Sequence, residues 1–281
     1  MRRIKVSTIT KTVSQLCAQA NISLRGDVLA ALKRTYGKEK NSKAKKALGW
    51  IVENAQIAQK EKIAICQDTG LPIVFLEVGQ DILFTGGDLN KAIQKGIDSG
   101  YKKASLRNSI ISDPLNRGSS KFSPGIIHVD FVKGSRLKIT LLPKGFGCEN
   151  KSALKMFNPT AGIDGVKKFI VDVVKSAGAD ACPPYVVGVG IGGSADMAGV
   201  LAKKALLRKV TSHKSQVTSP ILKLEQELLK RINRLGIGPM GLGGNTTALR
   251  VNIETYPTHI AGLPVAVSIS CHALRSASKT I

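Results

Sequence analysis

ICQDTGLPIVFLEVG, residues 65–79, joins a lysine-rich segment of helical character to an apolar run of strand character. Upstream, Ala47, Leu48, Ile51, Val52, Ala55 and Ala58 recur at helical spacing and make one apolar stripe. Downstream, residues 73–79 read as a strand. A helix that empties through a polar turn into a buried strand is the pattern of a mixed α/β chain. The turn places a thiol, an amide, an acid and a hydroxyl in consecutive positions: Cys66, Gln67, Asp68 and Thr69. Gly70 permits a sharp change of direction and Pro72 fixes the exit. Such a turn has two readings. Either Asp68 caps backbone amides beside a half-buried Cys66, or both side chains find chemical partners elsewhere in the chain.

Working outward, residues 9–59 read as helices. Ile4, Val6, Ile9, Val13, Leu16 and Cys17 recur every three to four residues, as a first domain helix requires. DLNKAIQKGIDSGYKKASL predicts a helix capped by Asp88. IIHVDFV and LKITLL, around residues 126–142, predict two strands of a hairpin that turns at Lys133 and Gly134. GIDGVKKFIVDVVKSAGA predicts a helix closed by glycine, and YVVGVGIGG a buried strand running into a glycine turn. SADMAGVLAKKALLRK and SPILKLEQELLKRINRLG predict two more helices, with the polar stretch RKVTSHKSQVTS as an exposed loop. TTALRVNIETYP and LPVAVSISCHA predict closing strands. No repeat or long linker divides the chain. The expectation is one mixed α/β domain over residues 1–281, with a helical lead-in over residues 1–60.

Composition narrows the function. With 43% apolar residues and 28 glycines but 4% aromatics, the core is mostly aliphatic. No apolar run approaches the ~18–20 residues that span a bilayer. The N-terminal stretch has no acid before Asp27 and resembles a transit peptide in composition, but it lacks the apolar core of a secretion signal. The net charge of +23 attracts anions, whether nucleic acid, a small anionic substrate or an acidic partner subunit. Against nucleic acid, the lysines are spread along the chain, aromatics for base stacking are few, and neither a Cys/His finger nor an aromatic RNA-binding motif occurs.

The five cysteines, Cys17, Cys66, Cys148, Cys182 and Cys271, contain no C-x-x-C pair and no secretion signal accompanies them. Reduced thiols in the cytoplasm are the expectation. Four turns share glycines beside a polar or thiol residue: ICQDTG, LPKGFGCENKSA, ACPPYVVGVGIGGS and GIGPMGLGGNTTA. Such turns can present backbone N–H groups to carboxylates or phosphates. GVGIGGS follows a strand and precedes a helix, yet it lacks the P-loop lysine and the acidic residue about 20 positions on that marks a dinucleotide site. Three thiolates from distant loops are one way to hold an iron–sulfur cluster; a small buried hydrophobe is the alternative for each.

Six ordered blocks carry a specific resemblance: ICQDTGLPIVFLEVG, LRNSIISDPLNR, LPKGFGCENKSALKMFNP, CPPYVVGVGIGGSADMAGVLAKKAL, INRLGIGPMGLGGNTTAL and HIAGLPVAVSISCHALR. Together they resemble the α subunits of two-subunit class I fumarate hydratases and L-tartrate dehydratases over nearly the whole chain. The resemblance implies a 4Fe–4S cluster with one open iron, held by Cys66, Cys182 and Cys271. It implies substrate contacts from Gln67, Asp68, Arg107, the backbone amides of Gly145 and Gly147, and His259. Lys144, Glu149, Asn150 and Lys151 are implied as supporting residues. The chain departs from the family at Phe146 and Cys148, where glycine and serine are usual, and at Asn245, where lysine is usual.

The activity implied is reversible hydration of fumarate to L-malate, with dehydration of L-tartrate to oxaloacetate as the alternative. Asp68, together with His259, is the implied acid at the leaving hydroxyl. The family places the base in a β portion. This chain reaches Ile281 soon after the Cys271 strand, so half of an enzyme is expected: an α subunit that works with a β subunit carrying the other half of the site. An α2β2 assembly is implied, in which His259 serves a neighbouring chain. The expected partners are this subunit and a dicarboxylate, with neither nucleic acid nor membrane. A basic nucleic-acid-binding protein and a cluster-free structural homologue are the competing classes.

Overall fold

The computed structural model describes residues 1–210 and 219–281. In chain order the elements begin with β1 (Arg2–Lys5), α1 (Val6–Ile22), α2 (Gly26–Lys38), α3 (Ser42–Glu61), β2 (Leu71–Gly79), β3 (Ile82–Thr85) and α4 (Leu89–Lys103). Next come β4 (Ile110–Asp113), β5 (Arg117–Lys121), β6 (Ile126–Val132), β7 (Leu137–Lys144), α5 (Phe146–Glu149), β8 (Ala153–Phe157) and α6 (Gly162–Ala177). The remainder are β9 (Tyr185–Gly193), α7 (Ala195–Leu207), α8 (Pro220–Asn233), β10 (Ala248–Thr258), β11 (Leu263–Ser270) and β12 (Ala277–Thr280). The chain is a mixed α/β protein. Of the predicted loop RKVTSHKSQVTS, residues 211–218 lie outside the described residues. Among the described residues no helix is long and apolar enough to cross a membrane.

The chain divides into two compact units. The first comprises Met1–Arg25, Ala55–Phe146 and Arg275–Ile281; the second comprises Gly26–Asn54 and Gly147–Leu274. The helical lead-in is thus shared between them.

In the first unit a four-stranded sheet runs in the order β12-β7-β2-β6. β2 is central because its apolar run IVFLEV is buried almost throughout. It pairs parallel to β6 and antiparallel to β7. The strands over 126–142 therefore do not form the predicted hairpin. They are neighbours in sequence but flank β2, which takes the middle position because it has apolar side chains for both faces. Ile9, Val13, Leu16 and Cys17 of α1 pack with Ile93, Ile97 and Tyr101 of α4 over Val74, Leu76, Ile139 and Leu141 of the sheet. Asp88 caps α4 as predicted, its carboxylate accepting the Lys91 N–H at 2.7 Å.

In the second unit the order is β10-β9-β11-β8. Here too the two predicted closing strands, β10 and β11, are separated by an inserted strand, β9. Alternation along β9 explains its glycines. Tyr185, Val187 and Val189 enter the core beneath α6 and α8. A Cβ at Gly188 or Gly190 would lie 2.1 or 2.0 Å from the Ala202 or Ala198 carbonyl of α7. Gly188 and Gly190 thus make a seat for a closely packed helix, which accounts for these two glycines without a nucleotide.

Candidate active site

The turn after α3 is built from backbone capture. Ile65 N–H donates to the Asn21 carbonyl at 3.0 Å, which ties the start of the turn to α1. Asp68 accepts N–H bonds on both oxygens, from Gly70 at Oδ1 (3.0 Å) and from Phe146 at Oδ2 (2.7 Å). Thr69 Oγ1 donates to the Arg107 carbonyl at 3.2 Å, and the buried Tyr101 hydroxyl reaches the Thr69 carbonyl at 2.9 Å. Burial holds the Tyr101 phenol protonated far above its usual range. Gly70 has φ +75°, and a Cβ there would lie 2.8 Å from the Lys144 N and Pro143 C atoms of β7. Only glycine fits this corner.

Arg275 was not singled out from the sequence. Its guanidinium is buried and donates through Nη2 to the Asp68 carbonyl at 2.7 Å and through Nη1 to Asn21 Oδ1 at 3.1 Å. The available signal was its place four residues after Cys271, in a block already quoted for other residues.

The first unit therefore brings together Asp68, Gly145 and the backbone at Arg107. A Cβ on Gly145 would stand 3.1 Å from Asp68 Oδ2, so that position stays small beside the carboxylate. The Arg107 side chain is exposed and forms no ion pair among the described residues. Gln67 is exposed, its Oε1 3.4 Å from Cys66 Sγ. Phe146 turns its ring outward, 47% exposed, while its N–H serves Asp68. Its departure from glycine thus leaves the Asp68 contact in place.

The second unit holds the other site residues. Cys182 has φ +55°, an uncommon backbone for a residue with a Cβ and one that concentrates at functional positions. Its carbonyl accepts the His272 N–H at 3.3 Å and faces His272 Nδ1 at 3.0 Å, which brings the residue after Cys271 to the Cys182 loop. Gly147 has open space where a Cβ would be. Glu149 pairs with Lys203 at 2.7 Å, and Lys151 with Asp180 at 2.7 Å. Lys151 holds the Asp180 carboxyl below its usual range, chiefly through their hydrogen bond. Asn150 is exposed. Lys144 is buried in the first unit, at the end of β7. His259 lies exposed in the β10–β11 turn, where Nδ1 accepts the Ala261 N–H at 3.2 Å. The structure does not join it to the other predicted residues. Asn245 binds the buried Glu39 carboxylate through its N–H (2.9 Å) and Nδ2 (3.4 Å). Its departure from lysine falls in a turn that Glu39 organises.

The five thiols separate into two classes. Cys17 and Cys148 are buried. Burial pushes the Cys17 thiol up to about 12. Cys66, Cys182 and Cys271 are half-buried, at a turn, before a proline pair and at a strand end. Among the described residues no three His, Cys, Asp or Glu are gathered as a metal-holding group. The donor chemistry of the half-buried set, three soft thiols with access to solvent, fits an iron–sulfur group, and the sealed pair does not.

A family model described as fumarate hydratase (Fumerase) matches residues 10–280. A protein of Methanocaldococcus jannaschii named "Putative L(+)-tartrate dehydratase subunit alpha" is 44% identical over 97% of this chain and 97% of its own length. The L(+)-tartrate dehydratase subunit alpha of Escherichia coli strain K12 is 32% identical over 96% of this chain and 89% of its own.

Proposed function

The chain belongs to the fumarate hydratase family of hydro-lyases, and from that premise we propose that it is the α subunit of an iron–sulfur enzyme that reversibly hydrates fumarate to L-malate. The observation that carries the cofactor reading is the division of the cysteines, with Cys66, Cys182 and Cys271 half-buried and Cys17 and Cys148 sealed. These three would hold a 4Fe–4S cluster whose open iron supplies a Lewis acid to the substrate hydroxyl and one carboxylate.

The protein's own groups do the rest. Asp68, oriented by the Gly70 and Phe146 amides, carries the proton for the leaving hydroxyl. Arg107 offers an exposed guanidinium whose fork binds a carboxylate bidentately. Gln67 contributes an amide, and the N–H groups of Gly145 and Gly147 receive substrate oxygens. His259 serves the site of a neighbouring α chain in an α2β2 assembly. The base for the C3 proton comes from a separate β subunit, as the "subunit alpha" names of the relatives suggest. Residues 1–281 are proposed as a single catalytic domain, in keeping with a family match over residues 10–280. A cytoplasmic location is part of this proposal, because a reducing compartment suits an iron–sulfur enzyme with free thiols.

Dehydration of L-tartrate to oxaloacetate is the second reading, favoured by the names of the 44% and 32% identical relatives. Anaerobic reconstitution of the chain, with iron content measured in each Cys→Ser variant, tests the ligand set. Loss of iron is expected at positions 66, 182 and 271 alone. Full iron in the Cys182→Ser protein removes that ligand. Assays with fumarate, malate and both tartrate enantiomers, with and without the β chain, decide the substrate and the need for a partner.

A further inference from the structure

The second unit contains a cavity of about 360 Å³ whose lining includes Arg34, Thr35 and Lys38 of α2, Gln226 of α8, Thr246, and Arg250 of β10. No carboxylate is in its lining among the described residues. Arg34 and Lys38 are one turn apart on the same helix face. Both are exposed, and neither forms an ion pair among the described residues. Arg250 is 7% exposed and held in one orientation: Nε donates to Asn252 Oδ1 at 2.9 Å and Nη2 to Glu225 Oε2 at 3.0 Å. Behind it, Arg208 shares Glu225 at 2.7 Å and reaches Glu254 at 3.5 Å. Four cations, at positions 34, 38, 208 and 250, thus stand against three carboxylates: Glu225 and Glu254, engaged by the arginines, and Asp27, which accepts the N–H of the lining residue Val210 at 2.7 Å. The adjoining residues 33–46 carry seven Lys or Arg and a single acid, Glu39, which is buried and held by neighbouring N–H groups.

The polar lining is rich in donors: a guanidinium fixed at one wall, a second guanidinium and an ammonium on flexible stems, two hydroxyls and an amide. Approaching from several directions, they suit an anion with oxygens on several sides and more than one charge, as a tetrahedral phosphate has and a planar carboxylate does not. The volume falls in the range of small-molecule sites, about 300–1,000 Å³. We propose that this cavity binds a small phosphate-bearing anion, a phosphate monoester or diphosphate, as a site separate from the hydro-lyase chemistry.

Titration calorimetry of the full chain with inorganic pyrophosphate tests this, at about 0.15 M salt, where the screening length is about 8 Å. One saturable site is expected. Arg34→Gln with Lys38→Gln should weaken it at least about tenfold, as loss of two charge-assisted contacts requires. Lys40→Gln with Lys43→Gln removes the same charge from exposed positions outside the cavity and should change affinity less than about twofold. Thermal melts confirm that both variants fold. No saturable binding by the parent, or equal weakening in the two double variants, overturns the site. Tighter binding of succinate overturns the phosphate assignment, and tighter binding of a short single-stranded RNA overturns the small-ligand assignment.

Discussion

Replacing Arg275 by methionine removes a buried cation that grips the Asp68 carbonyl. The side chain makes two hydrogen bonds, at 2.7 Å to Asp68 and 3.1 Å to Asn21. Hydrogen bonds to a charged group contribute ~1.5–3 kcal/mol each, so the gross loss is about 3–6 kcal/mol. Opposing this, the buried Nε has no hydrogen-bond partner among the described residues. Deleting that unsatisfied donor returns ~1–3 kcal/mol. The net loss centres on ~2–3 kcal/mol, and at ~2–4 °C per kcal/mol Tm falls by about 4–12 °C. Arg275→Lys, able to keep one bond, should fall between parent and Met. Thermal unfolding by circular dichroism measures the stability. Amide hydrogen exchange at Gly70 and Phe146 reports the turn itself, because both N–H groups donate to Asp68. Faster exchange at both is expected in the Met variant. A Tm within about 2 °C of the parent, with exchange at those amides unchanged, would refute the account of Arg275 as the clamp on this turn.

Gly70→Ala should cost about 2–4 kcal/mol in urea unfolding, since a Cβ at φ +75° meets β7 backbone that cannot yield; a loss below about 1 kcal/mol would show that the corner relaxes. In cluster-free native protein, iodoacetamide at about pH 8 should label Cys66, Cys182 and Cys271 and spare Cys17 and Cys148, read by peptide mass spectrometry. Because the folded Cys17 pKa is raised to about 12, its contribution to stability is complete below the ordinary thiol value and is lost as pH rises toward 12. The urea midpoint should drop over that window, and Cys17→Ala should flatten the drop. Arg107→Lys should raise KM for the dicarboxylate about tenfold without altering iron content, as loss of a bidentate fork predicts; an unchanged KM assigns Arg107 to the fold.

Local chemistry was legible in the sequence, and partner choice was not. The apolar stripe of α3, the Asp88 cap and the glycine that ends α6 are written within a few residues of where they act. Strand order depends on which strand has apolar surface for both faces. The sequence placed strands at 126–142 and at 248–270 but could not show that β2 and β9 would insert between them. The short strands β1, β3, β4, β5, β8 and β12 carry little alternation and went unread. At the site, Cys66 and Asp68 stood out because unusual residue types meet in one turn. Arg275 did not, because its partners lie 207 and 254 positions away.

β12 pairs with β7, and the Ile281 N–H and carbonyl both bond to Leu137. That edge has a consequence for synthesis on the ribosome. The first unit is begun by residues 1–25, interrupted, resumed at 55–146, interrupted again, and closed by 275–281. Its sheet cannot be finished until the second unit's sequence has been translated, so nascent β7 must wait with an open edge. A chain cut short before position 275 lacks both the strand that seals that edge and the arginine that clamps the Asp68 turn. Such a product should be recognised by proteases and chaperones as unfinished, because the β7 edge stays open.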